Sequence, residues 1–277
     1  MAQPTDYLRL EDRGIRRNRP YSRKNVFRGF APVHILLRFE APAGLKLFEA
    51  SRRGIQAFAP YQPLRLLACD PDELCLKVSD AGESLKDLLA AGASAAEVQA
   101  MTMQIVKFLK SLPVSQSSLL NNHPYLQLFE GYFRKLAQPD ALETELYRLI
   151  GLISAAKPLQ GRTSIGILDP KLANFCRSPA GELSLVDFDH FVPAISQDLL
   201  LGFFLADLDC ESHFRYSLVS SAQIIAQTNR YLFLEGMLAR LVFEWIDPLV
   251  FAAGDPGHYR QMAQRLEFIA AQLAQSE

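Results

Sequence analysis

At 277 residues, with a formal net charge of -1 and a composition 49% hydrophobic and 21% charged, the chain is too apolar for a disordered segment and too nearly neutral for a globally basic nucleic-acid binder. It is long enough to bury a large core as one domain or two lobes. No segment approaches the roughly 18 uninterrupted apolar residues of a membrane span, and the opening residues lack a signal-peptide core, so a cytoplasmic location is expected.

The N-terminal segment, residues 1–28, is basic. Arg9, Arg13, Arg16, Arg17, Arg19, Arg23, Lys24 and Arg28 face only Asp6, Glu11 and Asp12. Such an arm reads as a solvated leader, able to contact an anionic surface and to hold the protein at the membrane periphery. Residues 29–80 follow as a small β-rich lobe. "VHILLRFE", "LKLFEA" and "LRLLACDPDELCLKVSD" predict antiparallel strands, with turns at Ala41 to Gly44 and Asp70 to Glu73 and a short helix at Arg52 to Phe58.

Residues 81–277 read as a helical lobe. Ser94 with Glu97 forms a capping-box pattern, and Val98, Met101, Ile105, Leu109 and Leu112 make one apolar stripe that ends at Pro113. Further helices are expected at His123 to Ala137, at Ala141 to Ala155, and from Asp198 onward, with a break at Asp255 to Gly257. The order of strands, helices, one hairpin and more helices predicts an α+β, two-lobed architecture. Cys69, Cys75, Cys176 and Cys210 form no C-x-x-C pair, so reduced packing cysteines are expected rather than a zinc site or disulfides.

The hairpin carries the chemistry. In "ILDPKLANFCRSPAGELSLVDFDHF", Asp169 opens a loop, Asn174 leads into a strand, "SPAGE" turns, and "LSLVDFD" returns. Pairing these strands brings Asn174 and Asp187 to one end of the ladder. A carboxylate and an amide oxygen together suit magnesium, which completes its shell with water or phosphate oxygens. Asp169, in the loop before them, is placed to take a proton from a hydroxyl. Asp189 reads as a third ligand, a salt-bridge partner or a helix cap.

"DPKLAN" followed by "LVDFD" resembles the catalytic loop and metal-binding Asp of the protein-kinase-like superfamily. The resemblance implies ATP and magnesium as cofactors. It makes Asp169 the catalytic base, Lys171 the lysine that contacts the transferred phosphoryl group, and Asn174 and Asp187 the magnesium ligands. It places Lys46 on the α/β phosphates, the adenine against a hinge around Val78 to Asp80, and Asp198 at the start of a helix that braces the catalytic loop. The 55 residues between Pro113 and Asp169, with their two extra helices, are similar to the insert of aminoglycoside phosphotransferase-like and lipopolysaccharide-core sugar kinases. That implies a small-molecule or saccharide hydroxyl as acceptor.

Three parts of the pattern differ. Ile167 and Leu168 stand where the family has a His and its neighbour, no G-x-G-x-x-G occurs, with "FRGFAP" the nearest stretch, and no acidic residue lies between Ala50 and Cys69 to pair with a strand lysine. The leading expectation is a phosphotransferase. The alternative is a pseudokinase that binds nucleotide or acts as a scaffold without transfer, and a weaker third reading makes the basic arm primary.

Overall fold

The computed structural model describes residues 7–9, 24–30, 33–42, 44–117, 125, 161–211 and 229–251. The chain divides into two compact units, one of residues 1–111, 165–167 and 173–192, the other of residues 112–164, 168–172 and 193–277. The helices expected at 123–137 and 141–155 and the break at 255–257 lie outside the described residues.

The first unit is built on an antiparallel sheet of β1 (Tyr7–Arg9), β2 (Lys24–Phe30), β3 (Val33–Phe39), β4 (Leu66–Asp70) and β5 (Cys75–Ser79), in the order β1-β2-β3-β5-β4. Leu76 and Val78 of β5 and Phe39 of β3 are buried, the inward half of a period-2 pattern. The β4–β5 turn forms where predicted, because Asp70 accepts the backbone N–H groups of Asp72 and Glu73 at 3.1 Å each. The expected leader is corrected here: β1 lies inside it, and β2 begins at Lys24 and pairs along its length with β3.

A second correction concerns "LKLFEA", which is helix and not strand. It opens α1 (Leu45–Phe58), whose buried Phe48, Ser51, Ile55 and Phe58 recur at helical spacing. Six residues alternate well enough to mimic a strand, but over fourteen the 3.6-residue period is the one that buries a face.

Next come β6 (Glu83–Ser84), α2 (Leu85–Ala90) and α3 (Ala95–Ser111). The capping box forms as predicted: Ser94 N donates to Glu97 Oε2 at 2.8 Å, and Glu97 N donates to Ser94 Oγ at 3.3 Å. The hairpin strands β9 (Phe175–Arg177) and β10 (Leu183–Leu185) join β6 in a sheet of order β10-β9-β6. Both α2 and α3, and the hairpin, therefore belong to the unit that holds the large sheet, so the boundary expected at residue 81 is not where the chain divides. A run of rings explains the grouping. Phe58 lies 6.3 Å from Phe108 and 5.2 Å from Phe188, and Phe108 lies 6.4 Å from Phe175, so α1, α3 and the hairpin share one core.

The second unit holds β7 (Val114–Ser117), most of β8 (Gly161–Ile167) and of β11 (Phe191–Ser196), in a sheet of order β11-β8-β7, together with α4 (Gln197–Glu211) and α5 (Arg230–Phe251). Residues 199–208 of α4 and 232–242 of α5 are buried on every face. The helices approach through glycine. A Cβ on Gly202 would lie 1.9 Å from the Phe233 carbonyl oxygen, and one on Gly236 would lie 2.0 Å from that of Leu199. Among the described residues no helix is long and apolar enough to cross a membrane.

Candidate active site

The hairpin pairs Phe175 with Leu185 and Arg177 with Leu183. Val186 N then donates to the Asn174 carbonyl at 2.8 Å, extending the ladder by one rung so that Asn174 and Asp187 flank the same end. Asp187 has φ +60°, a left-handed conformation that is uncommon outside glycine and concentrates at sites where the surroundings hold it. The next residue supplies that hold. Phe188 is buried against Phe58, and it packs so closely over α1 that a Cβ on Gly54 would lie 2.6 Å from its own Cβ.

Asp187 and Asp189 thus emerge on either side of an anchored ring, and one cation serves both. Lys24 Nζ lies 2.5 Å from Asp187 Oδ1 and 2.7 Å from Asp189 Oδ2, its side chain only 7% exposed. Asp189 Oδ1 also accepts the Ser51 hydroxyl of α1 at 2.7 Å. Burial opposes charge on Lys24, but the two carboxylates outweigh it and hold the ammonium above its ordinary pKa. Burial and the charge of Asp187 push the Asp189 carboxyl upward, against the pull of Lys24 and Ser51. Of the open readings of Asp189, the salt-bridge partner is the one observed.

Lys46 is not in this cluster. It is the second residue of α1 and is exposed, which corrects the expected strand position. Lys24 and Arg28, counted above with a solvated arm, are ordered strand residues: Arg28 pairs with Asp80 at 2.5 Å. Val78 is buried on β5, and Asp80, just beyond it, accepts the Gly82 N–H at 3.0 Å. Gly29, from the stretch nearest to a glycine-rich loop, has a different task. It faces His34 across the β2–β3 ladder, and a Cβ there would lie 2.2 Å from that buried ring.

Asp169 and Lys171 lie in the second unit. Lys171 N donates to the Asp169 carbonyl at 2.7 Å, and its Nζ lies 3.3 Å from Asp169 Oδ2. Buried Ile167 and Leu168 anchor the entry to this loop by packing. A brace comes from Asp207, which the sequence reading did not single out. Asp207 Oδ2 accepts Leu172 N–H at 2.7 Å while its Oδ1 accepts Arg240 Nε–H at 2.6 Å, and Asp207 is fully buried. Asp198, at the start of α4 as expected, accepts Asn229 N–H at 3.0 Å. Asp207 and Arg240 went unpredicted because nothing in an apolar helical run separates a bracing Asp from a neighbour nine residues away.

Magnesium, the metal that the fold implies, fits the donor set at the hairpin end. Asn174, Asp187 and Asp189 offer hard oxygens, and Lys24 shows that a cation is accepted there. Among the described residues no group of three or more His, Cys, Asp or Glu could hold a metal ion. Magnesium on one or two carboxylates ordinarily keeps water or phosphate oxygens as its other ligands.

The chain matches no family model and no curated protein. It is similar in structure to a choline/ethanolamine kinase family protein from Mesorhizobium loti, with a TM-score of 0.64 and 14% identity over 96% of this chain and 92% of that one. Choline kinase LicA from Streptococcus pneumoniae matches with a TM-score of 0.62 and 14% identity over 96% and 94% of the two chains. The aminoglycoside phosphotransferase APH(4)-Ia, in a ternary complex with AMP-PNP and hygromycin B, matches with a TM-score of 0.61 and 12% identity over 96% and 94%. With its strand order, its hairpin and these neighbours, the chain has the mixed α+β fold of the protein-kinase-like superfamily.

Proposed function

We propose that the protein is an ATP- and magnesium-dependent phosphotransferase acting on a hydroxyl of a small molecule or saccharide. The observation that carries this reading is the left-handed Asp187 beside Asn174 at the end of the hairpin, five residues after an Asp169 whose loop is braced from α4. Similar structures have been solved with AMP or with AMP-PNP and an aminoglycoside, which supports a nucleotide and a small acceptor.

Asn174 and Asp187 would hold magnesium, which neutralises phosphate charge and orients the transferred group when bound. Asp169 orients the acceptor hydroxyl and takes its proton as the oxygen bonds to the γ-phosphorus and the bond to ADP breaks. Lys171 stabilises charge on the moving phosphoryl group. Val78 and Asp80, at the end of β5, would receive the adenine. The phosphate-facing lysine is assigned to Lys24 rather than Lys46, because Lys24 is the one bonded to Asp187.

The test is thermal stability with and without ATP, each with and without magnesium, for the native protein and Asp187→Ala. A rise that needs both ligands and vanishes in the variant supports the reading; no rise under any condition overturns it. The exposed Lys46 and the lack of any acidic residue between Ala50 and Cys69 favour one alternative, a pseudokinase that binds nucleotide or acts as a scaffold. Magnesium-dependent ATP binding without turnover on any hydroxyl acceptor would select it.

A further inference from the structure

Resting on that functional reading, we propose that Gln62 is a positioning residue for the metal site: by completing the outer edge of β10 it fixes the point from which the chain turns to present Asp187. β10 is the outermost strand of the order β10-β9-β6. Backbone N–H groups alternate between the two sides of a strand, so with Val186 N–H on the Asn174 carbonyl, that of Leu185 points away from β9. Leu185 is buried, and a buried N–H needs an acceptor. The acceptor is a side chain from 123 residues away, Gln62 Oε1, at 2.7 Å.

Gln62 is itself held in place. It lies in the connection from α1 to β4, where Arg65 Nη1 donates to the carbonyls of Ala59 and Leu64 at 3.0 Å each and to that of Gln62. Arg65 is fixed in turn to β5, its N–H on the Ser79 hydroxyl and its carbonyl on the Ser79 N–H, both at 2.9 Å. Two residues after Leu185 the chain takes its left-handed turn at Asp187. That turn is clamped before by Gln62 and after by Phe188 over Gly54, and an uncommon backbone conformation persists where its surroundings over-determine it. The chemistry of the amide suits position rather than stability. Gln62 is buried, and among the described residues its Nε2 has no hydrogen-bond partner. One bond made to the hairpin is set against one buried donor left unmade, so the side chain adds little to stability while supplying the oxygen that β10 needs.

The experiment uses the full chain. Hydrogen exchange at the Leu185 amide is followed in the metal-free protein, Mn²⁺ affinity is read by electron spin resonance in the presence of AMP-PNP, and stability is read by urea unfolding. Gln62→Met has a similar reach but no acceptor oxygen. In it the Leu185 amide should lose protection, and Mn²⁺ should bind roughly 10- to 100-fold more weakly, the usual cost of removing a group behind a metal ligand, while the urea midpoint moves little. Gln62→Glu keeps the accepting oxygen and gives up only the donor that makes no bond, so it should restore both protection and affinity. A merely structural glutamine would move the urea midpoint and leave the Mn²⁺ affinity of the folded protein unchanged.

Native Mn²⁺ affinity in folded Gln62→Met, or equal weakening in Gln62→Glu, overturns the inference alone. If Gln62→Met fails to fold, Arg65→Met releases the same connection from an exposed position and should weaken Mn²⁺ in the same direction; native affinity there overturns the inference. A native protein that binds neither Mn²⁺ nor AMP-PNP overturns the functional reading and the inference together.

Discussion

Asp207 on α4 accepts the backbone N–H of Leu172 at 2.7 Å and the Nε–H of Arg240 at 2.6 Å, tying the loop that carries Asp169 to α4 and α5. Both side chains are almost wholly inaccessible, at 0% and 7% exposure. Asp207→Ala leaves a guanidinium buried without its carboxylate, and the expected loss is about 3 to 5 kcal/mol. Urea unfolding measures it. Arg240→Met added to Asp207→Leu should recover most of that loss, and a pair no more stable than Asp207→Ala would show that the ion pair is not its source.

Asp169→Asn keeps the shape of the side chain but removes its capacity to take a proton. Transfer to the acceptor should fall by roughly 10²- to 10⁴-fold, with the melting temperature and nucleotide affinity nearly unchanged. Turnover at the native rate would remove Asp169 from the role of base.

Gly54→Ala places a methyl group 2.6 Å from the Phe188 Cβ, an atom that cannot move without the backbone of the Asp-Phe-Asp segment. The gain in helix propensity from glycine to alanine, at most about 1 kcal/mol, is outweighed by overpacking of about 1 to 3 kcal/mol. The variant should be less stable in urea and should lose magnesium-dependent nucleotide binding, because the displaced ring carries Asp187 and Asp189 with it. Full binding in a destabilised variant would separate the ring from the site.

Cys176 offers a pH test. Burial first, then the charges of Asp80 and Asp87, push its thiol up to about 12. The unfolded thiol titrates near ~8.5, so the folded state holds its proton more tightly. Stability from this group is complete below the unfolded value and declines as pH rises from there toward the folded value. Cys176→Ala should flatten that alkaline decline in urea midpoints. At pH 8 a thiol reagent should modify exposed Cys69 long before Cys176, and equal rates would contradict the burial.

What could be read from the sequence was local. The capping box of Ser94 and Glu97 needs four consecutive residues and a helix, the β4–β5 turn needs Asp70 and its neighbours, and the meeting of Asn174 with Asp187 needs one hairpin. Each depends on interactions between residues close along the chain, which residue type and spacing largely settle. The strand assignment of "LKLFEA" failed for the same reason in reverse, since a six-residue window holds too little of a helical period to outweigh alternation.

The tertiary structure decided which charges meet. Lys24 stands 163 residues from Asp187, and only the pairing of β2 within the large sheet and the packing of Phe188 over Gly54 bring them to 2.5 Å. Composition made Lys24 one basic residue among eight in a short arm, and nothing in spacing set it apart from Arg23 or marked Lys46 as exposed. Asp207 likewise braces the loop because its place on α4 puts its carboxylate against Leu172 and Arg240. By itself the sequence determined a hairpin with hard oxygens at one end. Which lysine faces them, and which aspartate braces the loop, follows from long-range packing, where burial makes pairing obligatory and a chain-order pattern carries no distance.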